Sequence, residues 1–294
     1  MRVSGPDDRD PVELCVDEHG DPADPLVVLV HGAAASMDWW DPGLCDAIAD
    51  RGRRVVRYDH RDTGRSTTGR PGHPDYDGGV LERDLVALVE ALGAPAHLVG
   101  LSMGGGIAQS VALRRPGLVS GLTLVATTAV GGVDADLPGM SAELQAWFAD
   151  PPPPPDWDDR DAVVAAQVAA QRAFAGPDFD ESRARRIAGE AVDRSIDPAA
   201  ADNHWLVIGS GDEDGPPLDV RRIAVPTLVV HGTHDPMFPL PHGEALAAAI
   251  PGARLLVVDR MGHETPPRSA WKDVVPDLSV VDRGDRDAQA GYDG

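Results

Sequence analysis

Short apolar segments with the composition of β-strands alternate with segments of helical periodicity over most of this chain. Five strand-like segments lie between residues 12 and 128, and two more follow residue 220. The seven segments are VELCVD, LVVLVH, RVVRYD, AHLVGLS, LTLVATT, PTLVVHG and ARLLVVD. Between the third and fourth, apolar residues recur at helical spacing, namely Leu81, Leu85, Leu88, Val89 and Leu92. This alternation predicts an α/β fold with a mostly parallel, doubly wound sheet between two layers of helices.

The middle of the chain has a different composition. From about residue 129 to 220 it is rich in Pro, Ala and Asp and offers no convincing strand. Its helix-like segments are MSAELQAWFAD, DRDAVVAAQVAAQRAFAG, DESRARRIAGEAVDRS and PAAADNHWLVIGS. We therefore predict a helical cap, inserted into one core that is formed by residues 1–128 and 221–282. The polar, charged residues 283–294 are predicted to be a disordered tail.

The charge of the chain is strongly acidic. It has 48 Asp and Glu residues against 26 Lys and Arg, which gives a net charge of −22. Such a surface repels a phosphate backbone, so nucleic acid is excluded as a partner. We interpret the acidic excess as a hypothesis of residence at high salt. A GC-rich genome is the alternative, although it does not explain the excess of acidic residues. A free energy of unfolding that is equal in dilute buffer and in molar salt would contradict the high-salt hypothesis.

Neither a membrane-spanning helix nor a signal peptide is predicted from the sequence. The longest apolar runs fall short of the roughly 20 residues that a membrane-spanning helix needs. The first residues are acidic and carry no apolar stretch of the kind found in signal peptides. We therefore expect a cytoplasmic protein that binds no membrane and is a monomer or a homodimer. Cys15 and Cys45 show no pairing pattern or metal-ligand spacing, and we interpret them as small buried hydrophobic residues.

One serine stands where a predicted strand meets a predicted helix. Gly100 to Gly104 read G-L-S-M-G, with Ser102 at the centre. A serine on so sharp a turn is held in a strained backbone conformation that projects its hydroxyl from the sheet, and the flanking glycines allow the turn. We predict that Ser102 is a nucleophile. The alternative is that Ser102 only caps the helix.

Acyl transfer also requires backbone N–H donors for a tetrahedral oxyanion. We predict one donor in Met103, directly after the nucleophile. The second is predicted in Ala33, within the HGAAAS loop that follows the strand LVVLV. The alternative is that this segment is only a connecting loop.

A histidine and an aspartate follow the last two strong strands. His263 lies in the loop directly after RLLVVD, at the edge where doubly wound sheets build their sites, and is the predicted base. Asp235 lies just past PTLVVHG and is predicted to accept a hydrogen bond from Nδ1 of His263. Asp259 and Glu264 are alternative acids, although both are close to His263 along the chain.

The motifs HGAAAS, RYDHRDTGRST, GLSMGG, HGTHDPMFP and MGHETP occur in the order and spacing of the α/β-hydrolase superfamily, which the chain resembles outside its middle and tail. GDPADPLVVLVHG followed by VVRYDHRDTGRSTT is similar in particular to aclacinomycin methylesterase-like serine esterases. The resemblance implies an α/β-hydrolase fold with residues 129–220 as a lid. It also implies a catalytic triad and two oxyanion-hole amides, contributed by Ser102, Asp235, His263, Ala33 and Met103.

These observations predict hydrolysis of a carboxylic ester of a small, largely apolar molecule through an acyl-enzyme, without a cofactor. His231 and His234 lack an accompanying ligand cluster, so no metal is predicted. Lid aromatic residues are candidates for the substrate pocket, with packing between helices as the alternative: Trp147, Phe148, Trp157, Phe174 and Trp205. Three alternative functions remain open: a haloperoxidase-like perhydrolase, an aminopeptidase and a catalytically silent ligand-binding protein.

The loop YDHRDTGRS carries several charges next to the predicted site. We predict that Asp59, Arg61 and Arg65 form ion pairs or hydrogen bonds that hold this loop beneath the site. A direct role of Arg61 in binding substrate is the alternative.

Overall fold

The computed structural model describes residues 2–3, 12–134, 136–211 and 217–279. The predicted tail, residues 283–294, lies outside the described residues. The strands are β1 Arg2–Val3, β2 Val12–Glu13, β3 Val16–His19, β4 Leu26–Val30, β5 Arg54–Tyr58, β6 Ala96–Leu101, β7 Val119–Val125, β8 Thr227–Gly232 and β9 Arg254–Val258. The α-helices are α1 Pro42–Ala49, α2 Gly78–Leu92, α3 Met103–Arg114, α4 Ala142–Ala149, α5 Arg160–Phe174, α6 Glu181–Arg194, α7 Asn203–Val207, α8 Pro241–Ala249 and α9 Trp271–Ser279.

A seven-stranded sheet lies at the centre, in the order β3-β5-β4-β6-β7-β8-β9. All neighbouring pairs are parallel except β3 and β5, which are antiparallel. Every residue of β4, β6 and β8 is buried, as expected for strands that have helices on both faces. The predicted α/β class is therefore confirmed. Because the strands are parallel, the loops that follow β4, β6, β8 and β9 emerge at the same edge of the sheet.

Two apolar cores flank this sheet. On one face, α2 buries the residues predicted from its helical periodicity, Leu81, Leu85, Leu88, Val89 and Leu92. On the other face, Leu44 and Ile48 of α1 pack with Val274 of α9. Burial of apolar surface at about 25 cal/mol per Å² makes these two layers the main stabilising contribution to the fold.

One predicted strand is divided in two. VELCVD was expected to be continuous, but β2 pairs with β1, whereas β3 pairs with β5. The break lies at Cys15, whose N–H donates to Ser66 Oγ and whose carbonyl accepts from the N–H of Asp59. The backbone groups of Cys15 thus bind the loop after β5 instead of continuing a ladder.

Helices α4 to α7 lie between β7 and β8, and the described residues of this segment contain no strand. Helices α5 and α6 pack on each other and onto the loop after β4. That contact buries a small apolar cluster, comprising Ala35, Trp39, Val164, Val168, Ala184, Ile187 and Ala188. The predicted division into a core and an inserted cap stays a prediction. The order of the helices and strands agrees with it.

A partly buried arginine joins the end of α6 to the loop after β5. Arg194, the last residue of α6, donates from Nη1 and Nη2 to the carboxylate of Asp59, at 2.8 and 2.5 Å. Its Nε donates to Asp38 at 2.7 Å. The Asp59 side chain is 0% exposed, so its charge depends on these partners and on two backbone N–H groups.

Arg194→Met is expected to lower the free energy of unfolding by about 3–5 kcal/mol, because it leaves the Asp59 carboxylate buried without its cation. Urea titration followed by circular dichroism measures this loss. Arg160→Met is the matched control, since Arg160 pairs with Asp193 in solvent, and its unfolding curve should stay close to that of the wild type. Equal midpoints for the two variants would contradict the interpretation that the buried Asp59 carboxylate depends on Arg194.

Stability depends on pH through five buried histidines whose pKa is lowered by burial, namely His31, His60, His97, His204 and His231. Burial lowers the pKa of His31 from 6.5 to about 4, and that of His60 and His97 from 6.5 to about 3. The unfolded chain therefore binds protons below pH 6.5 that the folded chain does not. Unfolding free energy should fall as the pH drops from 6.5 to about 4, by up to about 1.4 kcal/mol per pH unit for each histidine.

Urea unfolding at pH 7.5, 6.0 and 5.0 measures this slope. His97→Gln should make the slope shallower by the contribution of one group, since His97 contacts Thr123 within the sheet, away from the loops after the strands. A free energy of unfolding that does not change between pH 7.5 and 5.0 would contradict the prediction.

Candidate active site

Ser102 occupies a strained turn between β6 and α3. Its φ is 52° and its ψ is −117°, a conformation that side-chain-bearing residues rarely adopt. A Cβ on Gly100 would lie 2.4 Å from the carbonyl oxygen of Gly104, and one on Gly104 would lie 2.3 Å from that of Val30. Glycine is therefore required on both sides of the serine, as the spacing predicts.

The loop after β4 lies against this turn. A Cβ on Gly32 would lie 3.3 Å from Ser102 Cβ, which shows how closely the two segments approach. Within the described residues, the N–H groups of Ala33 and Met103 make no hydrogen bond, whereas the neighbouring N–H groups of Gly32 and Ala34 are both satisfied. Two free amides beside the serine are what an oxyanion site requires.

Asp235 and His263 meet at the same edge of the sheet, in the loops after β8 and β9. The His263 Nδ1 lies 3.0 Å from Asp235 Oδ2 and 3.1 Å from Oδ1. The N–H groups of Met237 and Phe238 both donate to Asp235 Oδ1 at 2.9 Å. The carboxylate is thereby fixed in place, with its side chain fully buried and that of His263 8% exposed.

The other two carboxylates considered as acids bind elsewhere. Asp259 Oδ1 accepts from Thr233 Oγ1 at 3.2 Å. Glu264 Oε1 accepts from the backbone N–H groups of Gly262 and Gly176. Of the three candidates, only Asp235 is hydrogen-bonded to His263 in the described part of the chain.

The serine hydroxyl and the imidazole belong to the same edge, but the described residues include no hydrogen bond between Ser102 and His263. Catalytic hydrogen bonds are commonly long in the absence of substrate and shorten in the Michaelis complex. The Nδ1 of His263 is held by Asp235, which leaves Nε2 as the nitrogen that can serve a hydroxyl.

Two phenylalanine rings border the imidazole. Phe174, at the end of α5, has its ring centroid 5.8 Å from that of His263, and the N–H of His263 donates to the carbonyl of Phe174 at 2.8 Å. Phe238, after β8, has its ring 5.5 Å from His263. Phe238 was not among the residues predicted from the sequence, although its place three residues after Asp235 is a usable signal.

Four of the five predicted pocket aromatics form one cluster that includes Phe174. The ring centroid of Phe174 lies 6.0 Å from those of Trp147 and Phe148, and the centroid of Phe148 lies 5.9 Å from that of Trp205. Trp157 is 38% exposed and makes no ring contact with the others. The cluster forms an apolar wall beside His263, and Trp157 stands outside it.

The charged loop after β5 is held by an ion pair and by hydrogen bonds, as predicted. Arg61 donates from Nε and Nη2 to Asp84, at 2.8 and 2.9 Å, and this pair is buried. The carboxylate of Asp59 accepts from the backbone N–H of Arg65 at 3.0 Å. The Arg61 guanidinium thus has a structural partner, which favours the supporting role over direct binding of substrate.

The remaining histidines of interest have partners of their own. His231 is buried and donates from Nε2 to the carbonyl of Phe238 at 2.7 Å, and His234 lies against Thr233 Oγ1. Among the described residues, no group of three or more His, Cys, Asp or Glu side chains has the arrangement of a metal site. The helices described are all too short or too polar to cross a bilayer.

Comparison with known proteins identifies the family. Residues 25–266 match the family described as alpha/beta hydrolase fold. The chain is 32% identical over 280 residues to rhodomycin D methylesterase DauP from Streptomyces sp. (strain C5), covering 88% of this chain and 91% of that protein. It is 31% identical over 227 residues to a non-heme chloroperoxidase from Streptomyces lividans, covering 72% and 75%.

A solved structure supports the same fold. Esterase RhEst1 from Rhodococcus sp. ECU1013 superimposes with a TM-score of 0.72 at 19% identity, covering 96% of this chain and 99% of that one. The predicted superfamily and the resemblance to methylesterases are confirmed. The chain therefore belongs to the α/β-hydrolase fold family, and its relatives place it among the ester hydrolases of that family.

Proposed function

We propose that this protein is a serine esterase in which Ser102, His263 and Asp235 act as a catalytic triad. The observation that carries the proposal is the Asp235–His263 hydrogen bond, formed at the sheet edge from which Ser102 also emerges. Such a pair sets the tautomer of the imidazole and stabilises its protonated form. No step of this reaction requires a cofactor.

The reaction begins with acyl transfer to the serine. Ser102 Oγ attacks the ester carbonyl while Nε2 of His263 takes its proton, and the N–H groups of Ala33 and Met103 bind the oxyanion. The protonated imidazole then donates that proton to the departing alcohol, which leaves an acyl-enzyme. Water, deprotonated by His263, attacks the acyl carbon, and the collapse of the second oxyanion releases the acid and restores Ser102.

The substrate is proposed to be a small, largely apolar ester. The aromatic wall of Trp147, Phe148, Phe174 and Trp205 stands beside His263 and offers ring edges and faces to an apolar acyl group. A short alcohol is proposed because the relative from Streptomyces sp. (strain C5) is named a methylesterase. The proposed substrate is thus the ester of an apolar acid with a short alcohol.

The test is hydrolysis of two ester series by the purified protein. One series is p-nitrophenyl esters of increasing acyl length, and the other is methyl, ethyl and butyl esters of one aromatic acid. We expect kcat/KM to rise with apolar acyl size and to fall as the alcohol grows. A protein that binds these esters without hydrolysing any of them would instead be a silent member of the fold.

A perhydrolase is the second candidate, and the similarity to the non-heme chloroperoxidase from Streptomyces lividans favours it. The same serine, histidine and aspartate would form an acyl-enzyme that hydrogen peroxide, rather than water, attacks. Formation of peracetic acid from acetate and peroxide distinguishes it from the esterase. We expect this rate to be small beside ester hydrolysis.

A further inference from the structure

A histidine from the segment between β7 and β8 supports the loop after β4. The N–H of Ala34 donates to His204 Nδ1 at 3.0 Å, and His204 Nε2 donates to the carbonyl of Arg61 at 2.8 Å. Nδ1 must therefore be the unprotonated nitrogen of this ring. The side chain is fully buried, and burial lowers the pKa of His204, which keeps Nδ1 free to accept.

The amide that His204 binds lies in an unusual backbone conformation. Ala34 has a φ of 56°, in the left-handed region that residues other than glycine rarely adopt. Such a conformation persists only where neighbouring groups hold it. Ala34 directly follows Ala33, so rotation at Ala34 would turn the chain that carries the free amide of Ala33.

Helix α7, which carries His204, is itself held by further hydrogen bonds. The adjacent Asn203 donates from Nδ2 to Asp62 at 2.9 Å and accepts from the N–H of Gly72 at 2.7 Å. Helix α7 is thus fixed to the loop after β5 at one residue and to the loop after β4 at the next. On the other side of His204, Trp205 belongs to the aromatic wall.

We propose that His204 is a positioning residue, which holds the Ala34 amide so that the N–H of Ala33 faces the oxyanion. This inference rests on the proposed esterase function. It assigns α7 a second part in the reaction, because the helix that contributes an aromatic residue to the wall also sets the geometry of the oxyanion site. The ring touches no reacting atom and acts only through the loop.

Two near-isosteric substitutions separate the two hydrogen bonds. In His204→Asn, Oδ1 takes the place of Nδ1 and still accepts from Ala34. In His204→Gln, Nε2 takes the place of the ring Nε2 and still donates to Arg61, but the acceptor for Ala34 is lost. With a p-nitrophenyl ester, we expect His204→Gln to lower kcat about 10- to 100-fold and to keep KM within about threefold of the wild type. The reason is that the oxyanion, which the N–H of Ala33 stabilises, forms only in the transition state. His204→Asn should keep kcat within about threefold of the wild type.

Amide hydrogen exchange of Ala34 provides a readout that does not depend on activity. The Ala34 amide should be protected in the wild type and in His204→Asn, and should exchange rapidly in His204→Gln. Rapid exchange in the wild type would overturn the proposal, as would equal losses of kcat in the two variants. If the wild type hydrolyses no ester while the exchange pattern holds, the esterase function fails and the support of the loop stands.

Discussion

Ser102→Ala is expected to lower kcat for ester hydrolysis by a factor of about 10⁴ or more. The substitution removes the only atom that can carry the acyl group in the proposed cycle, whereas the amides of Ala33 and Met103 remain. Substrate binding should therefore survive, and KM or the inhibition constant of a product acid should change little. Steady-state kinetics with a p-nitrophenyl ester measures both quantities.

Ser110→Ala is the matched control for this variant. Ser110 is buried in the same helix, α3, but lies two turns beyond the strained elbow. Its activity should stay within a few-fold of the wild type, and the melting temperatures of both variants should lie near that of the wild type. Ester hydrolysis by Ser102→Ala at more than about a tenth of the wild-type rate would contradict a nucleophilic role for this serine.

Asp235→Asn is expected to lower kcat by about 10⁴-fold, because an asparagine would stabilise the wrong tautomer of His263. The N–H groups of Met237 and Phe238 both donate to Oδ1, so the amide oxygen of an asparagine would occupy that position. Its NH₂ group would then replace Oδ2 and donate to His263 Nδ1. The imidazole would carry its proton on Nε2, where it cannot accept one from Ser102.

Asp259→Asn is the control for the charge change. Asp259 lies in the same loop as His263, and its carboxylate contacts Thr233 rather than the imidazole. The same loss of one negative charge should leave kcat within about threefold. If both variants lose activity equally, the effect comes from the local field and not from the hydrogen bond to His263.

Local patterns predicted the parts of this molecule that depend on local chemistry. The strand segments and the turn at Ser102 follow from apolar runs and flanking glycines, which act over a few residues. The predicted ends of the strands were less accurate than their existence and order. The strand expected from Leu122 to Thr128 is found at Val119–Val125, because Ala126 has a φ of 44° and Thr127 turns back to donate to the carbonyl of Ser102.

Long-range contacts account for what the sequence analysis missed. His204 meets Ala34 across 170 residues, and no periodicity or spacing signals that contact. The helix expected over residues 198–210 is a 3₁₀ turn at Pro198–Asp202 followed by the short α7, because Asn203 and His204 bind core loops. The cytoplasmic location, the oligomeric state and the high-salt hypothesis stay predictions from the sequence alone.

Covalent labelling tests the triad most directly. A fluorophosphonate reacts with a serine that is activated by its histidine, and peptide mass spectrometry then locates the adduct. We predict one adduct per chain, on Ser102, with labelling that is greatly slowed in Asp235→Asn and His263→Ala and unchanged in Asp259→Asn. Labelling at another residue, or equal rates at Ser102 in all four proteins, would contradict the assignment of Ser102, His263 and Asp235 as one catalytic unit.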